Sequence, residues 1–134
     1  MPPAGVDTNV LLRIFVDDDG VQHRQALELV KGLGEILVPT VVIIETVWVL
    51  RNLFKFPKDR LVQFLNAVLE GGTFVLENRE VIELAKFAFA EGKAGFADYV
   101  ILESARKLGA KEVFTFDREF ARTEGVVLVK GRHR

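Results

Sequence analysis

The chain has 134 residues, of which 49% are apolar, 28% charged and 10% aromatic, with a formal net charge of -1, a size that suits one compact domain with a real core. It contains no cysteine and only two histidines, His23 and His133, which excludes disulfides, zinc-thiolate and iron-sulfur sites and thiol nucleophiles and leaves little for a histidine-based metal site or triad. No run of about 18 apolar residues is present, and the start Met1-Pro2-Pro3-Ala4-Gly5 lacks the charged and apolar regions of a signal peptide, so a cytoplasmic protein without a membrane partner is expected.

A near-neutral charge argues against a protein that holds nucleic acid by bulk electrostatics alone. The distribution is uneven, because the tail Lys130-Gly131-Arg132-His133-Arg134 carries +3 and residues 1–129 therefore carry -4. No repeat, low-complexity stretch or Pro/Ser-rich linker interrupts the chain, so one domain over residues 1–129 and a short basic tail over 130–134 are expected.

The pattern alternates short β-like runs with longer helical ones. Gly5-Val6-Asp7 reads as a short strand ending in an acid, and Val10 to Val16 as a short helix. Asp17-Asp18-Asp19-Gly20 is a turn by composition, its acids a solvated loop and helix start. Val21 to Gly32 has an amphipathic spacing, with His23 on its surface. Ile36-Leu37-Val38 reads as a strand closed by Pro39, and Thr40 as the cap of a strongly apolar helix to about Leu53. Pro57 opens a helix with Leu61, Phe64, Leu65 and Val68 at helical spacing, and Gly71-Gly72 ends it. Thr73 to Leu76 is a third strand. The next helix, Glu80 to Glu91, packs through Ile82, Ala85, Phe87 and Phe89, and a loop leads to another from Ala97 to Leu108. Glu112 to Phe116 is a fourth strand, then a short helix lies around Phe120 and a fifth strand at Val126 to Val129. Strands alternating with helices imply a parallel sheet covered on both faces, with ligands beyond the carboxyl ends of the strands. Trp48 and Tyr99 read as core aromatics.

Four acids stand where the local pattern calls for apolar residues. Glu45 has Val41, Val42, Trp48 and Val49 as its same-face helical neighbours, and a lone carboxylate on such a stripe is costly unless paired, protonated or bound to a cation. Asp98 lies in the first turn of its helix beside Ile101 and Leu102, where the helix dipole also favours an acid. Asp7 ends the first strand and Asp117 follows the fourth, and either could simply cap the next helix. In a parallel sheet all four lie at one edge. Carboxylates gathered there repel one another unless a cation intervenes, and a hard divalent ion such as Mg2+ or Mn2+ takes oxygen ligands of this kind. Such a site suits metal-assisted phosphodiester hydrolysis, which needs no protein nucleophile. None is offered, since Ser104 lies in mid-helix without a histidine partner.

With these motifs in order, Val6-Asp7-Thr8-Asn9, Pro39-Thr40-Val41-Val42-Ile43-Ile44-Glu45, Gly95-Phe96-Ala97-Asp98-Tyr99-Val100-Ile101 and Thr115-Phe116-Asp117, the chain resembles the PIN-domain ribonucleases over nearly its whole length, and among them the VapC-like toxins of toxin-antitoxin pairs. The resemblance implies a three-layer α/β/α sandwich around a five-stranded parallel sheet, with Asp7, Glu45, Asp98 and Asp117 holding Mg2+ or Mn2+. It matches Asn9 and Thr115 to positions whose amide and hydroxyl orient the carboxylates and water, although a local capping or strand hydrogen bond would explain either. It also implies an RNA substrate, a homodimer and a cognate antitoxin. Arg51, Phe54, Lys55 and Phe56, in a basic and aromatic segment that continues to Arg60, are the candidate contacts for a partner protein, a second subunit or RNA.

Three rival readings meet obstacles in the residues. A haloacid-dehalogenase phosphatase needs a second aspartate two residues after Asp7, where Asn9 stands. A phospho-receiver module wants paired acids after the first strand and an acceptor aspartate after the third, where the chain reads Leu76-Glu77-Asn78. A catalytically inert PIN-like domain for RNA binding or assembly has no reason to bear the repulsion of four acids.

Overall fold

The computed structural model describes residues 3–130, so Lys130 is the one residue of the expected basic tail within the described residues and 131–134 lie outside them. In chain order the elements are β1 (Ala4–Gly5), α1 (Thr8–Phe15), α2 (Gly20–Gly32), β2 (Ile36–Val38), α3 (Thr40–Asn52), α4 (Lys58–Leu69), β3 (Phe74–Leu76), α5 (Arg79–Glu91), α6 (Phe96–Lys107), β4 (Val113–Thr115), a single 3-10 turn (Phe120–Arg122) and β5 (Val126–Leu128). The alternation expected from the sequence is present throughout. The described residues fold as two compact units, divided between Arg79 and Glu80.

In the first unit, β1, β2 and β3 form a parallel sheet in that order, with Ala4 opposite Ile36 and Ile36 opposite Phe74. The two-residue period of a strand puts Ile36, Val38, Phe74 and Leu76 inside and turns Leu37 and Val75 outward. Helix α1 packs on α2 and α3, and α4 on α3 and β3. Leu11, Ile43, Leu50, Leu65 and Val68 are fully buried among them. Phe15 closes the core, its ring edge to face with Phe64 at 5.0 Å and tilted against Phe74 at 6.1 Å. Thr46 is the buried polar residue of this core, and its hydroxyl donates to the Val42 carbonyl one turn back at 2.7 Å.

Two turns depend on left-handed backbone. Gly71 and Gly72 follow α4 with φ of 80° and 71°, conformations that glycine adopts without steric cost. Lys55, at φ 58°, adopts the same region with a side chain. It reverses the chain between α3 and α4 so that the Phe56 N–H reaches the Leu50 carbonyl at 2.9 Å.

In the second unit, β4 and β5 form a two-stranded parallel sheet, Val113 opposite Val126 and Thr115 opposite Leu128. Helices α5 and α6 bury Ile82, Ala85, Phe89, Phe96, Tyr99 and Leu102. Phe89 meets Phe96 and Tyr99 meets Phe120 edge to face at 5.9 and 6.3 Å.

The expected single five-stranded sheet of one three-layer sandwich is therefore corrected to one three-stranded and one two-stranded parallel sheet. The physical reason is where the backbone bonds go: a single sheet needs the N–H and C=O groups of neighbouring strands facing one another in register, and β1 meets β2 in that way while β4 meets β5. Two core expectations also fail. Trp48 is 58% and Phe87 63% exposed, because α3 and α5 bury faces centred on Ile43, Val47 and Leu50 and on Ile82, Ala85 and Phe89. Tyr99 is buried as expected. Among the described residues no helix is long and apolar enough to cross a membrane.

The buried Tyr99 hydroxyl accepts the Ala94 N–H at 3.3 Å and sits where a side chain on Gly92 would have to go, 1.8 Å from an ideal Cβ, with the Ala88 carbonyl 2.9 Å away. Gly92→Ala is expected to destabilise the protein by about 1–3 kcal/mol through overpacking. The double variant with Tyr99→Phe should recover part of that loss, read as urea midpoints. An unchanged midpoint in Gly92→Ala would mean that the tyrosine does not pack there.

Candidate active site

Each expected acid lies at a junction between elements. Asp7 follows β1 and is the N-cap of α1, its Oδ1 accepting the Val10 N–H at 3.0 Å. Asp117 follows β4, and its Oδ1 accepts the N–H groups of Glu119 at 2.8 Å and Phe120 at 3.1 Å. Asp98 stands in the first turn of α6, and its Oδ2 accepts the Gly95 N–H at 3.2 Å. In every case the carboxylate meets a backbone donor that a helix start leaves without a partner.

Glu45 differs, since it lies mid-way along α3 and is held from outside its helix by the Thr8 hydroxyl, which donates to Oε1 at 2.6 Å. Thr8 directly follows Asp7, so this bond ties Glu45 to the start of α1. The apolar stripe that made Glu45 conspicuous is divided: Val42 is buried and Val49 half-buried, while Val41 and Trp48 are 59% and 58% exposed and Glu45 is exposed with them. The desolvation cost expected from the sequence is therefore not incurred. Helix α3 is apolar on nearly every face, and periodicity alone does not reveal which face is inside.

A common arrangement emerges. Each of the four acids has one oxygen committed to a hydrogen bond and a second with no protein partner, and none forms an ion pair with a described lysine or arginine. Hard oxygen donors oriented on one side and open on the other fit a Mg2+ or Mn2+ ion in donor chemistry. Among the described residues, no group of three or more acids or histidines stands close enough to hold a metal. The pairing the structure does show is Glu45 with Thr8 in the first unit. In the second unit, Thr115 is joined to Asp117, whose N–H donates to the Thr115 hydroxyl at 3.0 Å.

Thr115 thus makes a hydrogen bond that orients Asp117 through its backbone. Asn9, exposed on the first turn of α1, lines a cavity between α1 and α2. Arg51 and Lys55 are exposed, while Phe54 and Phe56 are half-buried, and the Arg60 guanidinium covers the Phe56 ring at 3.7 Å. The most exposed apolar side chain near this corner is Leu53, at 66%. The acidic turn is structural, as the sequence suggested: Asp19 caps α2 through the Gln22 N–H and Asp18 pairs with Arg13. His23 is half-buried and not on the surface, its Nδ1 donating to the Arg13 carbonyl at 2.7 Å.

Two residues not picked out from the sequence bear on the site. Thr8 positions Glu45. Glu77, just after β3, accepts the Thr40 N–H at 2.9 Å and so caps α3 from 37 residues away, where Thr40 itself was expected to be the cap. The Pro39 position before α3 has no capping side chain. Glu77 also lines a cleft of about 480 Å3 with Gly5, Leu37 and Pro39 at the carboxyl end of the first sheet.

A model of the PIN domain matches residues 5–126. The chain belongs to the PIN-domain family. It is also 30% identical over 118 residues to a VapC ribonuclease of Aquifex aeolicus (strain VF5), an alignment covering 86% of this chain and 87% of that relative. The PIN-domain match begins at β1 and runs through the first residue of β5, so all four acids fall inside it.

Asp7 has two separable duties, which substitution can divide. Asparagine caps a helix about as well as aspartate and alanine does not. Asp7→Ala is expected to cost about 1 kcal/mol of stability and Asp7→Asn close to none, measured as denaturation midpoints. Equal losses in the two variants would contradict the capping role.

Proposed function

We propose that this PIN-domain protein is a metal-dependent endoribonuclease that hydrolyses RNA phosphodiester bonds in the cytoplasm and is the toxin of a toxin-antitoxin pair. The observation that carries the reading is the half-open state of Asp7, Glu45, Asp98 and Asp117: each is anchored by one oxygen and open at the other, with no lysine or arginine paired to it. The VapC ribonuclease name of a 30% identical relative supports the same reaction class. On this reading residues 1–129 act as one nuclease domain.

On this reading Asp7, Glu45, Asp98 and Asp117 would together hold Mg2+ or Mn2+, and the bound ion would supply Lewis-acid charge at the scissile phosphate and make water a better nucleophile. The chain's own residues do the positioning. The Thr8 hydroxyl fixes the rotamer of Glu45, the start of α1 fixes Asp7, the Gly95 N–H fixes Asp98, and Thr115 with the 3-10 turn fixes Asp117. Water's oxygen joins phosphorus as the bond to the leaving oxygen breaks, and the leaving oxygen takes up a proton. No side-chain nucleophile is required. Ser104, half-buried in the middle of α6, has no histidine to activate it.

A homodimer and a cognate antitoxin complete the proposal. The outward Val41, Trp48 and Leu53 of the α3 region, next to Arg51 and Lys55, fit a protein contact better than the half-buried Phe54 and Phe56.

Purified protein is expected to cut a mixed RNA pool with Mg2+ present and to stop when EDTA is added. Asp98→Asn retains an acceptor for the Gly95 N–H, so it should melt normally yet lose at least about 100-fold in rate, the scale for removing a group that organises transition-state charge. Cleavage that continues in EDTA, or at the full rate in Asp98→Asn, would rule out the metal reading. A complete lack of cleavage by protein free of any copurified partner would favour the inert, binding-only domain.

A further inference from the structure

Helices α1 and α2 enclose a cavity of about 220 Å3 walled by Asn9 and Arg13 on one side and Gln22, Gln25, Ala26 and Leu29 on the other. Its polar groups are unspent. Among the described residues the side-chain amides of Asn9, Gln22 and Gln25 make no hydrogen bond. Arg13 uses Nη1 to pair with Asp18, and its Nε is buried with no acceptor at all. Native proteins seldom leave a buried donor without a partner, and a ligand is one of the few explanations for such a group.

The cavity is also well placed. Asn9 lies two residues beyond Asp7 on the helix that Asp7 caps, and a rise of about 1.5 Å per residue puts Arg13 only about 9 Å along the axis from the acid.

We propose that the α1–α2 cavity reads a guanine base next to the cleaved phosphodiester bond, an inference that rests on the ribonuclease reading above. Guanine alone presents two adjacent acceptors, O6 and N7, along one edge. With Nη1 committed to Asp18, the Nε–Nη2 edge of Arg13 carries two parallel N–H donors that match them; Nε is covered in the structure, so a base meets both only once the exposed amides around it have moved aside. Glutamine and asparagine amides accept from the N1–H and N2–H groups and donate in return. Ala26 and Leu29 provide an apolar wall for the ring. Adenine would set its N6 donor against the arginine, and the pyrimidines lack N7. Single-stranded RNA is where such edges are free to be read. Asn9, Gln22 and Gln25 are exposed and can shift to admit a base without disturbing the core.

Binding and cleavage test this separately. The full chain carrying Asp98→Asn is titrated by fluorescence anisotropy with labelled uridine hexamers that hold a single G, A or C. The G-containing hexamer is expected to bind at least tenfold more tightly than the others. Arg13→Lys, which keeps the charge and loses the fork, and Gln25→Ala, at an exposed position, should each reduce that preference at least fivefold with melting temperatures little changed. Sequenced ends from a randomised RNA pool cut by the wild-type protein should show guanine beside the break. Equal affinity for all hexamers, no RNA binding, or a guanine preference that survives both substitutions overturns the pocket. Guanine-selective binding without any Mg2+-dependent cleavage instead sinks the nuclease reading and leaves the pocket standing.

Discussion

A helix that starts straight after a strand leaves its first N–H groups pointing at nothing, and in this chain the acceptors that meet them are acids. Asp7 caps α1, Asp19 caps α2, Glu77 reaches across to α3, Asp98 bonds back to Gly95 before α6, and Asp117 receives two N–H groups at the 3-10 turn. The helix dipole favours a negative charge at each of these places. Folding therefore fixes these acids by one oxygen each, so their orientation is set by the backbone around them. The same bonds also hide function from simple inspection, because an acid at a helix start has a sufficient structural reason to be there.

Glu45 is the exception that separates the two roles. It caps nothing, lies among apolar neighbours, and is held by a single hydroxyl from another helix. No backbone donor explains its presence. Asp19 is the opposite case: it caps α2 through the N–H three residues on, the same kind of bond that Asp7 makes, yet it belongs to no set of acids at the strand ends. Among the four acids, Glu45 is thus the one whose presence no capping bond accounts for.

The apolar residues divide along similar lines. Helix α3 buries Val42, Ile43, Thr46, Val47 and Leu50 and sends Val41 and Trp48 outward. Its buried hydroxyl, Thr46, is satisfied within the helix by the Val42 carbonyl and so carries no site. In α1 the reverse holds, since Arg13 is drawn partly inside to pair with Asp18 while its Nε finds no acceptor. An unmet buried polar group marks where the fold has given up stability, and this one lies in the last turn of α1, at the opposite end of the helix from Asp7.

Much was legible in the sequence because it is local. Strand and helix order followed from the spacing of apolar residues, with boundaries moved by a residue or two, and the four acids stood out through their immediate neighbours. What is not local was not legible. Periodicity could not choose the inward face of a helix as uniformly apolar as α3, so Trp48 was misplaced and the cost of Glu45 overstated. Nor could it reveal that a two-residue β1 would pair with β2 alone, dividing five strands between two sheets. Thr8 bonding Glu45 and Glu77 capping α3 each join residues 37 apart in sequence, and the amides beside Arg13 are brought there by two different helices. Composition and spacing by themselves determined the class of fold, the family motifs and the identity of the acids, since these depend on short-range sterics and on chemical type. Which oxygen is anchored, which face is buried and which polar groups are left unpaired were decided only by tertiary structure, because hydrogen bonding and burial depend on what the rest of the chain brings alongside.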